Sequence, residues 1–279
     1  MDSRIRFAVA GEPIEHSLSP ELFALVAEHL GLEWYMPKRI SAIKYSDLKD
    51  KLKSDFESPP PEFSELITQV TREVIEPFLQ HIPHGDTRIK GLETCNPIKS
   101  NFYYFVSITT PLKHQFEINP INCLKVLGED FETFNSDGLG FVTVARHFNI
   151  FPENGAILGL KGGGSTAVAT NRAWKSAGGR IKFYEGRRNF EFESYNKEIS
   201  EAEDIYVDYD DSTTLKKTIS LNPRYGKNGV GTMDGGVIDG TWLLAAQHLI
   251  SWNYLFGFNE ELPSLGLLMS RLSLLTKKI

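Results

Sequence analysis

The chain has 279 residues, 41% hydrophobic and 24% charged, which excludes a disordered or fibrous polymer and allows about two domains of roughly 150 residues. Its 30 Lys and Arg against 36 Asp and Glu leave a net charge of −6, which argues against nucleic acid as the main partner and leaves room for a small anionic ligand. Cys95 and Cys123 have no CxxC spacing and read as reduced structural thiols. With neither a signal-like apolar start nor a run of about 18 apolar residues, a cytoplasmic chain that engages no membrane is expected.

"RIRFAVAG" reads as a strand ending at Gly11, and "SPELFALVAEHLG" as a helix with Leu22, Leu25, Val26 and Leu30 on one face before Gly31. Between them, "EPIEHSLSPELF" holds two serines. Ser19 is expected as the N-cap with Pro20 at the first helical position, whereas Ser17 has no such duty. Two hydroxyls beside the N–H groups of a helix start suit a ligand carboxylate. The more polar stretch from about 41 to 101 contains "SPPPEF" and a helical period in "ELITQVTREVIEPFLQHI", and reads as elaboration on a core domain.

"YYFVSITTPLKHQF" is a strand-like run that breaks at a proline and then presents Lys113. "DGLGFVTVARHF" reads as a helix beginning just after Asp137, a preferred capping residue. From Asn154 on, the chain repeats strand, glycine loop, helix, Gly-Gly stop and strand, an alternation that means parallel sheet covered by helices; the composition shift near Pro152 marks a boundary. Gly162, Gly163, Gly164 and Ala167 satisfy GxGxxA after the apolar run "AILGL" and at the head of a helix, the context of a dinucleotide-binding loop. At the end of the next strand, Glu185 suits the ribose hydroxyls of NAD, and Arg187 and Arg188 suit the 2′-phosphate of NADP. In "DGTWLLAAQHLISWNYLFG", Gln247 interrupts an apolar face with Leu243, Ile250 and Tyr254; a buried amide needs hydrogen-bond partners, which a polar ligand supplies. No metal site is expected.

Taken in order, these segments resemble one family, the shikimate dehydrogenases with their quinate-handling relatives. "GEPIEHSLSP" resembles the family's substrate signature, "SITTPLKH" its catalytic lysine motif, "PINCL" the segment with its substrate asparagine, "FNSDGLGF" its NTDGxGF motif and "DGTWLLAAQ" its glutamine motif. The resemblance implies that Ser17 and Ser19 hold the substrate carboxylate, that Thr109, Asn122 and Gln247 bond the ring hydroxyls, and that Lys113 and Asp137 are the catalytic pair. Ketone reduction builds negative charge on oxygen, so a cation and a proton source within hydrogen-bond reach are what the chemistry needs. The family's GAGGA loop is altered here, with Leu160 at its first glycine and Lys161 next, and its asparagine and threonine motif is missing from "AEDIYVDYDDST".

The expected architecture is α/β with two domains: an α/β substrate-binding domain from residues 1–137 with 241–279, and a Rossmann-like nucleotide-binding domain with a parallel sheet from 138–240. The expected function is NADP-dependent interconversion of 3-dehydroshikimate and shikimate in aromatic amino-acid biosynthesis, by a monomer or homodimer with a small-molecule substrate. Quinate or a related polyol with NAD is the alternative that Glu185 favours. A non-catalytic ligand-binding relative is the alternative suggested by the altered glycine loop, against which the retention of Lys113 and Asp137 argues.

Overall fold

The computed structural model describes residues 5–11, 17–31, 38–41, 103–108, 122–127, 130–187, 199–210, 218–224, 230–256 and 262–276, and among these described residues there are eleven strands and five α-helices. The chain divides into two compact units, residues 1–134 with 251–262 and residues 135–250 with 263–279.

The first unit is built on β1 (Ile5–Gly11), β2 (Lys38–Ser41), β3 (Tyr103–Ile108), β4 (Cys123–Leu127) and β5 (Asp130–Phe134), in sheet order β2-β1-β3-β4-β5. β1 pairs in parallel with both β2 and β3, and this interior place explains why consecutive residues Ala8, Val9 and Ala10 are all buried. The sheet is mixed, because β3, β4 and β5 pair antiparallel. Helix α1 (Ser19–His29) buries Leu22, Leu25 and Val26, and Gly31, at φ +67°, takes the left-handed turn after it. Within this unit Phe23 stacks on Trp252 with ring centroids 4.9 Å apart.

The second unit holds α2 (Asp137–His147), β6 (Ile157–Lys161), α3 (Ser165–Ser176), β7 (Arg180–Tyr184), β8 (Ile205–Asp208), β9 (Ile219–Leu221), β10 (Met233–Asp234) and β11 (Val237–Ile238). The sheet order is β10-β11-β9-β8-β6-β7, parallel throughout except for β10. β6 and β8 are interior strands, and Ile157, Leu158, Leu160, Ile205, Tyr206 and Val207 are buried. From β6 the chain runs first to β7 on one side and then to β8 on the other. The carboxyl ends of β6 and β8 therefore flank the topological switch point, where open α/β sheets bind ligands.

Helices α4 (Thr241–Phe256) and α5 (Leu265–Thr276) follow. The expected grouping put all of 241–279 with the first domain. Instead, residues 241–250 and 263–279 belong with the second unit and 251–262 with the first. α5 lies in the second unit because it packs there: a Cβ on Gly266 would meet the His147 ring at 3.3 Å, and one on Gly231 would meet Met269 at 3.0 Å. Among the described residues, no helix is long and apolar enough to cross a membrane.

Candidate active site

The segment around Asp137 shows how local sequence sets the site. The Asn135 side-chain oxygen accepts the Asp137 backbone N–H at 2.9 Å, an Asx turn that starts α2, and the helix N-cap is Ser136. Asp137 is thus the first helical residue and not the cap expected from sequence. The residue is 7% exposed, and Gln247 Nε2 donates to Oδ1 at 2.8 Å while Asn135 Nδ2 lies 3.5 Å from Oδ2. Two residues of the second unit that are 110 positions apart are joined directly.

Both glycines of "DGLGF" are explained by that geometry. A Cβ on Gly140 would come within 2.9 Å of Gln247 Cγ, so only glycine lets α4 approach close enough for the amide to reach Asp137. A Cβ on Gly138 would lie 2.1 Å from the Ala169 carbonyl oxygen and 2.8 Å from Ala173 Cβ, so α2 and α3 touch there through their backbones. Behind this contact Phe141 and Trp174 meet edge to face at 5.8 Å, and Trp174 Nε1 donates to Arg180 O at 3.0 Å.

"DGT" performs the matching task for α4. Asp239 Oδ1 accepts both the backbone N–H and the hydroxyl of Thr241, anchoring the helix start. A Cβ on Gly240 would meet the Asn222 carbonyl oxygen at 2.7 Å. On the same helix His248 is buried, its Nε2 has no hydrogen-bond partner, and burial pushes its pKa down from 6.5 to about 4. The unfolded chain takes a proton at the ordinary value and the folded chain resists it. Folding stability is therefore expected to fall as pH drops from about 6.5 towards 4. Denaturant unfolding across that range checks this: His248→Gln should flatten the decline, and an unchanged slope would show that other groups cause it.

Ser17 and Ser19 sit at the head of α1 in the first unit, 3% and 0% exposed. Here too the cap differs from expectation: Leu18 holds the N-cap position and Ser19 is the first helical residue. Ser17 Oγ accepts the Ser19 N–H at 3.3 Å, whereas Ser19 Oγ, fully buried, has no hydrogen-bond partner. A buried hydroxyl with no partner costs stability, so this one needs a reason. Asn122 is half-buried in the same unit, and its N–H donates to Phe134 O at 3.1 Å. Thr109, Lys113 and Arg188, and with them Cys95, lie outside the described residues.

The glycine loop joins β6 to α3. Gly162 has φ +101°, a conformation L side chains rarely adopt, and Gly164 is the N-cap of α3 with no side-chain cap bond. Ala167 is fully buried. A tight turn, an uncapped helix start and close helix-to-sheet packing are the features a pyrophosphate requires, so the residues present fit a dinucleotide. Lys161 Nζ, in place of the family's second loop residue, bonds Asp208 Oδ2 at 2.9 Å. Glu185 is exposed. Arg187 Nη2 donates to the backbone oxygen of Asp210 at 2.7 Å, and its Nε lies 4.0 Å from Asp210 Oδ1.

Three residues at the exit of β8 were not singled out from sequence. Asp208 and Asp210 hold Lys161 and Arg187, and Tyr209 shares a hydrogen bond with Thr170 Oγ1 at 2.8 Å. Burial raises the Tyr209 pKa, against the opposing effect of its hydrogen bond with Thr170, and the negative charge of Asp137 adds a smaller push in the same direction as burial. The alternation "VDYDD" at a strand end next to the glycine loop was the available signal.

No family model matches the chain. It is 25% identical over 182 residues, 63% of its own length and 49% of the relative's, to a shikimate dehydrogenase (NADP(+)) of Blochmanniella pennsylvanica, so it spans about half the length of that curated relative. Among solved structures, shikimate 5-dehydrogenase of Thermus thermophilus in complex with shikimate superposes with a TM-score of 0.58 at 17% identity, covering 99% of this chain and 100% of that one. The ligand-free 5-ketofructose reductase of a Gluconobacter species gives 0.55 at 14%, covering 98% and 99%. The chain has the mixed α/β fold of the shikimate dehydrogenases and resembles one of them in sequence.

Proposed function

We propose that the chain is an NADP-dependent oxidoreductase that interconverts 3-dehydroshikimate and shikimate in aromatic amino-acid biosynthesis. The observation that carries this reading is the direct bond between Gln247 and the buried Asp137 carboxylate, at the two positions that resemble the family's NTDGxGF and glutamine motifs. The sequence relative is named for NADP(+) and shikimate, and the fold is shared with a shikimate-bound enzyme. When bound, the nicotinamide supplies or accepts the hydride.

The chain's own groups then manage charge and position. In the reduction, the carbonyl carbon gains the hydride and its oxygen takes a proton, for which Lys113 is the donor. Asp137, held by Gln247 and Asn135, keeps a neighbouring ammonium charged and orients it. Ser17 and Ser19 take the substrate carboxylate, which gives the orphaned Ser19 hydroxyl its partner. The absorbance of the reduced nicotinamide, followed with shikimate and either NADP or NAD, tests the reading: turnover with NADP supports it, and none with either cofactor discards it. Turnover of quinate with NAD in preference would favour the alternative that Glu185 suggests.

The serine assignment has its own test. Replacing Ser17 and Ser19 by Ala is expected to raise KM for shikimate steeply while disturbing kcat less, because these contacts persist from ground state to transition state. Ser19→Ala alone should leave thermal stability unchanged or higher, since it removes an unpartnered buried hydroxyl. An unaltered KM in the double variant would remove the carboxylate from this site.

A further inference from the structure

At the end of β7, where the adenosine ribose of a dinucleotide sits in this fold class, the chain places a carboxylate that comes from a different strand. Asp210, two residues beyond β8, is 11% exposed in its side chain. Its Oδ2 accepts the Arg187 backbone N–H and would lie 2.4 Å from a Cβ on Gly186; its Oδ1 would lie 3.2 Å from a Cβ on Gly162. The two glycines close in together, with a Gly186 Cβ only 3.0 Å from Gly162 N. Asp210 thus occupies the space that missing side chains leave between the glycine loop and the end of β7. Its own N–H donates to Asp208 Oδ1 at 2.9 Å, which fixes the turn.

Arg187 is the described residue that would meet a 2′-phosphate, and Asp210 engages its guanidinium twice, through its backbone oxygen at 2.7 Å and its carboxylate at 4.0 Å. The guanidinium is 77% exposed, so the pair itself is weak. A nearly buried carboxylate, however, is little screened by solvent and faces any anion bound to Arg187.

We propose that Asp210 is a specificity-determining residue for the cofactor: its carboxylate competes with the 2′-phosphate for Arg187 and holds down the preference for the phosphorylated dinucleotide. This rests on the dinucleotide reading given above. It adds an acid on the β8 exit to the discrimination, which the sequence alone assigns to Glu185 against Arg187 and Arg188 just beyond β7.

Asp210→Asn keeps an oxygen to accept the Arg187 N–H and removes the charge. Calorimetric titration of the full chain and this variant with NADP, NAD, 2′,5′-ADP and 5′-ADP reads binding without turnover. NADP and 2′,5′-ADP should bind the variant roughly three- to tenfold more tightly, the range of one like-charge contact at intermediate dielectric, with NAD and 5′-ADP within about twofold of the parent. Equal tightening of all four ligands, or no change, overturns the proposal while leaving the NADP reading standing if NADP binds both proteins. Failure of both proteins to bind any of the four overturns both. Should Asp210→Asn fail to fold, Arg187→Ala at its exposed position still decides: it must weaken NADP and 2′,5′-ADP selectively, and an unchanged affinity ratio between NADP and NAD refutes the competition.

Discussion

Asp137→Asn is expected to lower kcat for shikimate oxidation by about 10² to 10⁴-fold, the range of a positioned acid–base partner, with a much smaller effect on KM. The substitution preserves shape, and Gln247 Nε2 can still donate to the amide oxygen that replaces Oδ1, so what is lost is the negative charge in a nearly buried site. In the mechanism proposed above, that charge keeps the Lys113 ammonium protonated. The neutral Tyr209 phenol nearby cannot substitute for it. Lys113→Ala should be similarly damaging, and the double variant should be far less impaired than the product of the two losses, because the pair acts as one unit. Steady-state kinetics of the three variants decides: parental kcat in Lys113→Ala, with the fold intact, would make that lysine surface decoration and end the mechanism.

Gly138→Ala should be the most destabilising single methyl in the second unit. The added carbon has nowhere to go, since the nearest atoms are the Ala169 carbonyl oxygen at 2.1 Å and its carbon at 2.6 Å, both backbone. Helices α2 and α3 would have to separate, opening the packing of Phe141 on Trp174. A loss of about 3 kcal/mol, at the upper end for overpacking, is expected in denaturant unfolding. Leu139→Ala, one residue on and 46% exposed, should stay within about 0.5 kcal/mol and serves as the reference. Similar midpoints for the two variants would mean that α2 and α3 do not touch through their backbones.

What could be read from the sequence was local in origin. The glycine loop was legible because a strand, three glycines and a helix follow one another without interruption, and Gly162 does carry the positive φ that such a loop needs. The strand and helix alternation of the second unit was legible for the same reason. Asp137 reads locally as a helix cap because its neighbours favour that role, whereas the Gln247 amide that donates to its carboxylate is 110 residues away, and no local pattern announces such a pairing. The antiparallel turnback of β4 and β5 was missed, as were the β8-exit acids, whose partners Lys161 and Arg187 arrive from β6 and from just beyond β7. Charge pairs across a parallel sheet are set by register, which short-range periodicity does not encode.

Neither unit is a continuous stretch of chain, and this bears on the order of assembly during synthesis. Domains ordinarily fold as they leave the ribosome, the earlier one first. Here α1 can form early, but the stacking partner of Phe23 is Trp252, and the second unit still awaits α5, with Leu268, Met269 and Leu272 in its core. Both units therefore reach completion only after residues beyond 251 have emerged, almost together. A nascent chain halted before α4 would expose two unfinished cores at once and present chaperones with a longer-lived client than a tandem arrangement of the same two folds would.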